Sequence, residues 1–257
     1  MAERATMRVV VALGAASRDS ALLETAAAIA VQASAELFAL FVEDLDLLNL
    51  AELPFAAEID RTSGMPRVLD AGHIGRSMRA HTRYLQGVLD RLAEESRLMS
   101  RAQVVRGHLL NEALASISPD DLLVVGATRG TGPRMRTTAP PRRPVAVVYA
   151  GAAHDVLALQ IARELAQVAA SELIVLLCPA AAARDRDLAR DAEELLAESG
   201  RPPMRRFRAL ATVADAAECA NLERARVLVL SRSHDVEAGA VVASFLEKPD
   251  RTAVLAP

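Results

Sequence analysis

The chain has 257 residues, 52% hydrophobic but only 3% aromatic, so there is room for one large domain or two small ones, with a core built from Ala, Leu and Val. A net charge of −3 argues against a dedicated nucleic-acid binder, whose domain is usually basic. No apolar run reaches the roughly 18 residues of a membrane span, and Cys178 and Cys219 are far apart with no CxxC spacing.

The first strand pattern follows a short polar tail with no long apolar leader, so no signal peptide is expected. With no disulfide framework, a reducing cytoplasm is the expected location. From Arg8 the chain reads "RVVVALGAASRDSALLETAAAIAVQASAELFALF": a buried strand, a small-residue turn, an Ala/Leu helix and a second buried strand. Continuous rather than alternating apolar runs suit a parallel sheet covered on both faces. Glu43, Asp44 and Asp46 follow the second strand. Carboxylates there can hold Mg²⁺ beside a phosphate, but a solvated turn is the plainer expectation. An insert at about 44–72 comes next, punctuated by Pro54, Gly64, Pro66 and Gly72. Its apolar residues predict that it packs on something.

A long helix then carries Ile74, Met78, His81, Leu85, Val88 and Leu92 as one expected buried stripe. "RAQVVRGHL" reads as a third strand, Asn111–Ile117 as a short helix, and "ISPDDLLVVG" as a fourth strand ending in Gly126. His108 falls where the third strand ends, at the edge where open α/β sheets bind ligands. The stretch after Gly126, "ATRGTGPRMRTTAPPRR", has two further glycines and five arginines.

From Pro144 the opening pattern returns as "PVAVVYAGAAHDVLALQIARELAQVAASELIVLL", aligning without a gap. Asp19 meets Asp155, Leu23 meets Leu159, and Glu36-Leu37 meets Glu172-Leu173. A helix ended by Gly200, the strand "PMRRFRALA", a helix at Val213–Leu222, the strand "LERARVLVLS", a helix near Val236–Glu247 and the strand "TAVLAP" follow. Strands alternating with helices in this way make βαβ units, and right-handed crossovers make each half doubly wound.

The two matching openings, the block "VVRGHLLNEALASISPDDLLVVG" and its glycine-rich sequel resemble the universal stress protein family in tandem form, over nearly the whole chain. The resemblance implies an α/β fold of two tandem doubly wound parallel-sheet domains, each with five strands. It also implies homodimers or pseudo-dimers and, in many members, ATP at the strand ends. ATP-holding members carry an Asp before the glycine that closes the first strand. Here Leu13 precedes Gly14, and Ala150 precedes Gly151. They also carry Gly-x-x-Gly after the fourth strand and a later Gly-Ser or Gly-Thr. Here Gly126, Ala127, Thr128, Arg129 and Gly130 are one residue too long, and no such pair follows at the expected distance. The second copy has "SRSHDVEAGAVV" there, with no glycine pair.

The repeat leaves the first copy without its last helix and strand. The expected domains are 1–132 and 144–257, joined by a linker at 133–143 whose paired prolines cannot continue a helix. Gly14, Gly126, Thr128, Arg129, Gly130, Gly132 and His108 are the candidate ligand-binding residues, and residues 126–132 read as a relic phosphate loop. The expected function is non-enzymatic and regulatory, through an unknown protein partner or a small ligand, with no cofactor. A homodimer through the helix at 74–92 is expected, and neither nucleic acid nor membrane as partner. The alternative is an ATP-binding, slowly hydrolysing sensor using Mg²⁺, in which Arg129, Arg134 and Arg136 grip phosphate. A third reading is a carrier of another small ligand beside the insert. Ser233, His234 and Asp235 are sequence neighbours and point apart, so they read as the start of a helix and not as a triad.

Overall fold

A computed structural model describes residues 7–14, 20–59, 64–127, 143–178, 185–198, 203–232, 235–248 and 250–257. The chain divides into two compact units, Arg8–Ile117 and Ser118–Pro257.

The first unit runs β1 (Arg8–Gly14), α1 (Ser20–Ala33), β2 (Glu36–Asp44), α2 (Leu45–Glu52), β3 (Ala57–Ile59), β4 (Pro66–Val68), α3 (Ala71–Ser96), β5 (Ser100–Gly107) and α4 (Leu109–Ala115). Its main strands lie in the order β5-β2-β1 and are parallel, with Val10 opposite Phe38 and Phe41 opposite Val104. Val9 through Ala12 are fully buried, as their unbroken apolar sequence predicts for a strand covered on both faces. Helix α1 packs on β1 and α3, and α4 packs on β1 and β2.

The insert does pack, as its apolar residues predict. Asp44 starts α2 by accepting hydrogen bonds from the Asp46 and Leu47 amides, at 2.9 and 3.2 Å. Ala51 of α2 then joins Ile74 and Met78 of α3 in a small core flanked by Leu47, Leu48, Leu69 and Ala71. Strands β3 and β4 form an antiparallel hairpin whose residues are all exposed.

Helix α3 begins at Asp70, whose carboxylate accepts from the Gly72 and His73 amides, and it ends at Arg97 in the left-handed region, φ 53°. Its buried stripe is Ile74, Met78, Thr82, Leu85, Val88, Leu89 and Ala93. This corrects the expected stripe: His81 and Leu92 lie at its margin, half-buried, and Thr82, Leu89 and Ala93 take the interior. A straight helix drifts about 20° per heptad from a strict 3.5 repeat, so over 26 residues the buried positions move on by one.

The second unit comprises β6 (Leu122–Gly126), β7 (Val145–Tyr149), α5 (Ala153–Val168), β8 (Leu173–Leu177), α6 (Asp185–Glu198), β9 (Arg205–Ala209), a 3-10 turn at Val213–Asp215, α7 (Ala216–Leu222), β10 (Val227–Ser231), α8 (Asp235–Leu246) and β11 (Thr252–Ala256). Strand order is β6-β11-β10-β7-β8-β9. The five strands after β6 are parallel, as a doubly wound half requires. The β6–β11 pair is antiparallel, with Gly126 opposite Thr252 and Leu123 opposite Leu255. The strand read from sequence as the fourth of the first copy thus lies in the second unit and takes the last strand of the second copy as its partner.

The edge strand β9 presents arginines instead of a bare apolar ladder. Arg206 bonds Glu172 and lies 3.3 Å from Glu223, which also accepts from Arg208. The first copy's absent helix and strand, and the linker at 133–143 apart from Arg143, fall outside the described residues, as do Ser233 and His234. Among the described residues no helix is long and apolar enough to cross a membrane.

Candidate functional site at the strand ends

In the first unit the carboxyl ends of β1, β2 and β5 stand side by side, with Gly14 opposite Val42 and Asp44 opposite Gly107. Leu13 is buried, and among the described residues no atom lies within 4 Å of where a Cβ on Gly14 would stand. One step past β5, His108 begins α4 with its side chain making no cap to that helix. Its Nδ1 instead approaches Asp46 Oδ2 at 3.4 Å, both side chains being more than half exposed. The edge therefore brings together Gly14, Asp46 and His108.

The three carboxylates after β2 have separate duties. Glu43 is 8% exposed and accepts from Arg106 Nε at 2.8 Å, across β2 and β5. That corrects the expectation of a solvated turn for Glu43: its register opposite Arg106 pairs it inside the ladder. Asp44 is a helix cap, and Asp46 faces His108. Among the described residues no group of three or more His, Cys, Asp or Glu is placed to hold a metal ion.

The second unit's corresponding edge is filled. Gly151 follows β7 at φ 84°, and a Cβ there would lie 2.6 Å from Leu188 Cδ2. The space next to the strand end is thus occupied by α6. Behind it, Asp155 is fully buried and its Oδ2 accepts from the Ala150 and Ala152 amides, at 2.9 and 3.2 Å. A carboxylate in the first turn of α5 so satisfies the N-cap amide and one in the loop before it, and complements the helix dipole. Burial pushes the Tyr149 phenol up, and Asp191 and Asp155 push it further. Cys178 is buried and Cys219 only partly so, neither in a disulfide; burial first, then Glu223, raises the Cys219 pKa.

Gly151→Ala is expected to destabilise by about 1–3 kcal/mol, from the left-handed backbone and the overlap with Leu188. Urea unfolding of Gly151→Ala, Leu188→Ala and the double variant tests this. A coupling below about 0.5 kcal/mol would mean that the two sites do not touch.

Of the sequence candidates, Gly126 ends β6 within the β11 ladder, and the next amide, Ala127 N–H, donates to the Arg251 carbonyl at 2.9 Å. Thr128, Arg129, Gly130 and Gly132 lie outside the described residues, as do Arg134 and Arg136. Sequence reading missed Leu188 over Gly151 and the Asp46–His108 approach, since neither pair has a fixed spacing along the chain.

Parallel strands joined by helices that cover both faces of the sheet define a doubly wound α/β protein. No protein-family model matches the chain, and no curated protein sequence matches it. Among solved structures, a universal stress protein from Archaeoglobus fulgidus DSM 4304 aligns over 96% of this chain and 95% of its own, at 12% identity and TM-score 0.50. A protein of unknown function from Pseudomonas aeruginosa PAO1 aligns over 98% of this chain and 92% of its own, at 14% identity and TM-score 0.45. The first of these fixes the architecture: the chain has the universal stress protein fold.

Proposed function

We propose that the protein is a non-enzymatic regulatory protein of the universal stress type, working through protein contacts or a small ligand held at the first unit's strand ends. The observation that carries this reading is Leu188 standing where a ligand would approach Gly151 in the second unit. Two features support it. Leu13 and Ala150 occupy the positions where the resemblance would put a base-contacting carboxylate. The Ala127 amide, one of the first donors a phosphate loop would use, is bonded to the Arg251 carbonyl.

The test is nucleotide content and affinity. Freshly purified protein is denatured and its supernatant chromatographed; the stripped protein is titrated with ATP by calorimetry with Mg²⁺ present. The expected result is no nucleotide and no heat. Stoichiometric ATP, or micromolar affinity, would overturn the reading in favour of an ATP-binding sensor.

A further inference from the structure

The β3–β4 hairpin of the insert turns its apolar side away from its own unit. Side chains alternate between the two faces of a hairpin, and the pairs Ala57–Val68, Glu58–Arg67 and Ile59–Pro66 fix which residues share a face. The Leu69 N–H donates to the Ala56 carbonyl at 2.9 Å, which carries the same register one step further. Ala56 and Leu69 therefore stand on the face that holds Glu58 and Arg67. Ala56 is buried, and Leu69 packs against the core of Ala51, Ile74 and Met78, so this is the inner face. It carries the charges, with Arg67 Nε 3.7 Å from Glu58 Oε1. The outer face is Ala57, Ile59, Pro66 and Val68, none of which has a charged or hydrogen-bonding side chain.

A hairpin with one face in water ordinarily places apolar residues inward and polar residues outward. Here Ile59 is 71% and Val68 73% exposed, and Phe55 and Met65, just before the two strands, are 79% and 66% exposed. These four residues expose roughly 600 Å², as much as the largest apolar patch of an ordinary monomer. A two-stranded hairpin is also marginally stable at best until a further layer covers it.

A second copy of the chain supplies such a layer, because it brings the same uncharged face. Sheets stacked face to face interdigitate at a spacing of about 10 Å. Covering the patch on both copies removes roughly 1,200 Å² from water, the lower bound of a stable specific interface. A lipid surface is the poorer occupant. From Glu52 to Asp70 the chain has four acidic and two basic residues, whereas anionic membranes attract basic segments.

We propose that the outer face of the β3–β4 hairpin is the contact through which two copies of the chain form a two-fold dimer. This places self-association on the insert and not on α3. The contact does not depend on a ligand at the strand ends.

Sedimentation equilibrium of the full chain across the micromolar range tests this, and a reversible dimer is expected. Ile59→Asp with Val68→Asp alters two exposed positions, so the wild-type circular dichroism should be kept while the dimer weakens by on the order of 100-fold or more. Ile59→Ser alone, the milder change, should weaken it by about tenfold and carries the test if the aspartate pair does not fold. Glu58→Gln with Arg67→Gln, on the inner face, should leave the dimer within about threefold of wild type. A wild-type chain that stays monomeric overturns the proposal. If that monomer sediments with phosphatidylcholine vesicles, the face belongs to a lipid surface instead. A dimer that the outer-face variants leave unchanged also overturns it, since the contact then lies elsewhere. A positive ATP titration would overturn the regulatory reading and leave this contact standing.

Discussion

Phe245→Ala is expected to lower the stability of the unit 118–257 by about 3–5 kcal/mol, the cost of emptying a large aromatic site in a packed core. Phe245 is fully buried on α8, a helix that packs on α7, the 3-10 turn, β10 and β11. Aromatics are 3% of the chain, so the core is built mainly from Ala, Val and Leu, and the short Ala and Val side chains cannot reach across the space. The ring is also the contact beneath Arg251. Urea unfolding monitored by far-UV circular dichroism gives this quantity. A change below about 1 kcal/mol would mean that α8 moves in to close the gap and that the core there is looser than described.

Asp155→Ala should cost about 2–4 kcal/mol through a different mechanism. It deletes no large volume. It leaves the Ala150 and Ala152 amides without the carboxylate that accepts from both, in a place where the carboxylate itself is fully buried. A hydrogen bond to a charged group is worth about 1.5–3 kcal/mol, and an orphaned buried donor adds its own desolvation cost. Asp155→Asn, which retains one acceptor oxygen, should fall between wild type and alanine. If asparagine and alanine were equally destabilising, the charge and not the hydrogen bonds would be the stabilising element. The Tyr149 phenol gives an independent readout: without the Asp155 charge its pKa should move down toward the ordinary value, since that charge is one of the causes raising it.

Much of the fold was legible because its signals are local. The gap-free match of Arg8–Phe41 with Pro144–Leu177 marks β1-α1-β2 and β7-α5-β8, and unbroken runs such as "RVVVAL" and "LIVLL" announce strands buried on both faces. The insert's packing was legible from its leucines. What escaped the sequence depends on pairs far apart along the chain. Nothing near Gly126 tells that its strand partner is Thr252–Ala256 running the other way. Nothing in "AAARDRDLARDAEELLAESG" says that Leu188 will stand over Gly151. Likewise Arg251, between an Asp and a Thr, reads as an ordinary surface arginine until Phe245 is in place beneath it. His108 was placed correctly at an edge from strand periodicity alone, but its approach to Asp46 depends on how the insert leaves β2.

The antiparallel β6–β11 pair bears on how the chain is made. A ribosome delivers β6 a whole repeat before it delivers β11, and chain segments near one another in sequence fold first. Through that interval the β6 edge that will receive β11 offers unmatched N–H and C=O groups beside the fully buried side chains of Leu122–Val125, the kind of strand edge that recruits other chains. The seam of the repeat, between residues 132 and 144, is thus a poor place to pause synthesis or to cut the gene. A fragment ending there would carry β6 without β11, and a fragment beginning there would carry β11 without β6. A break before Ser118 keeps the two strands on one polypeptide.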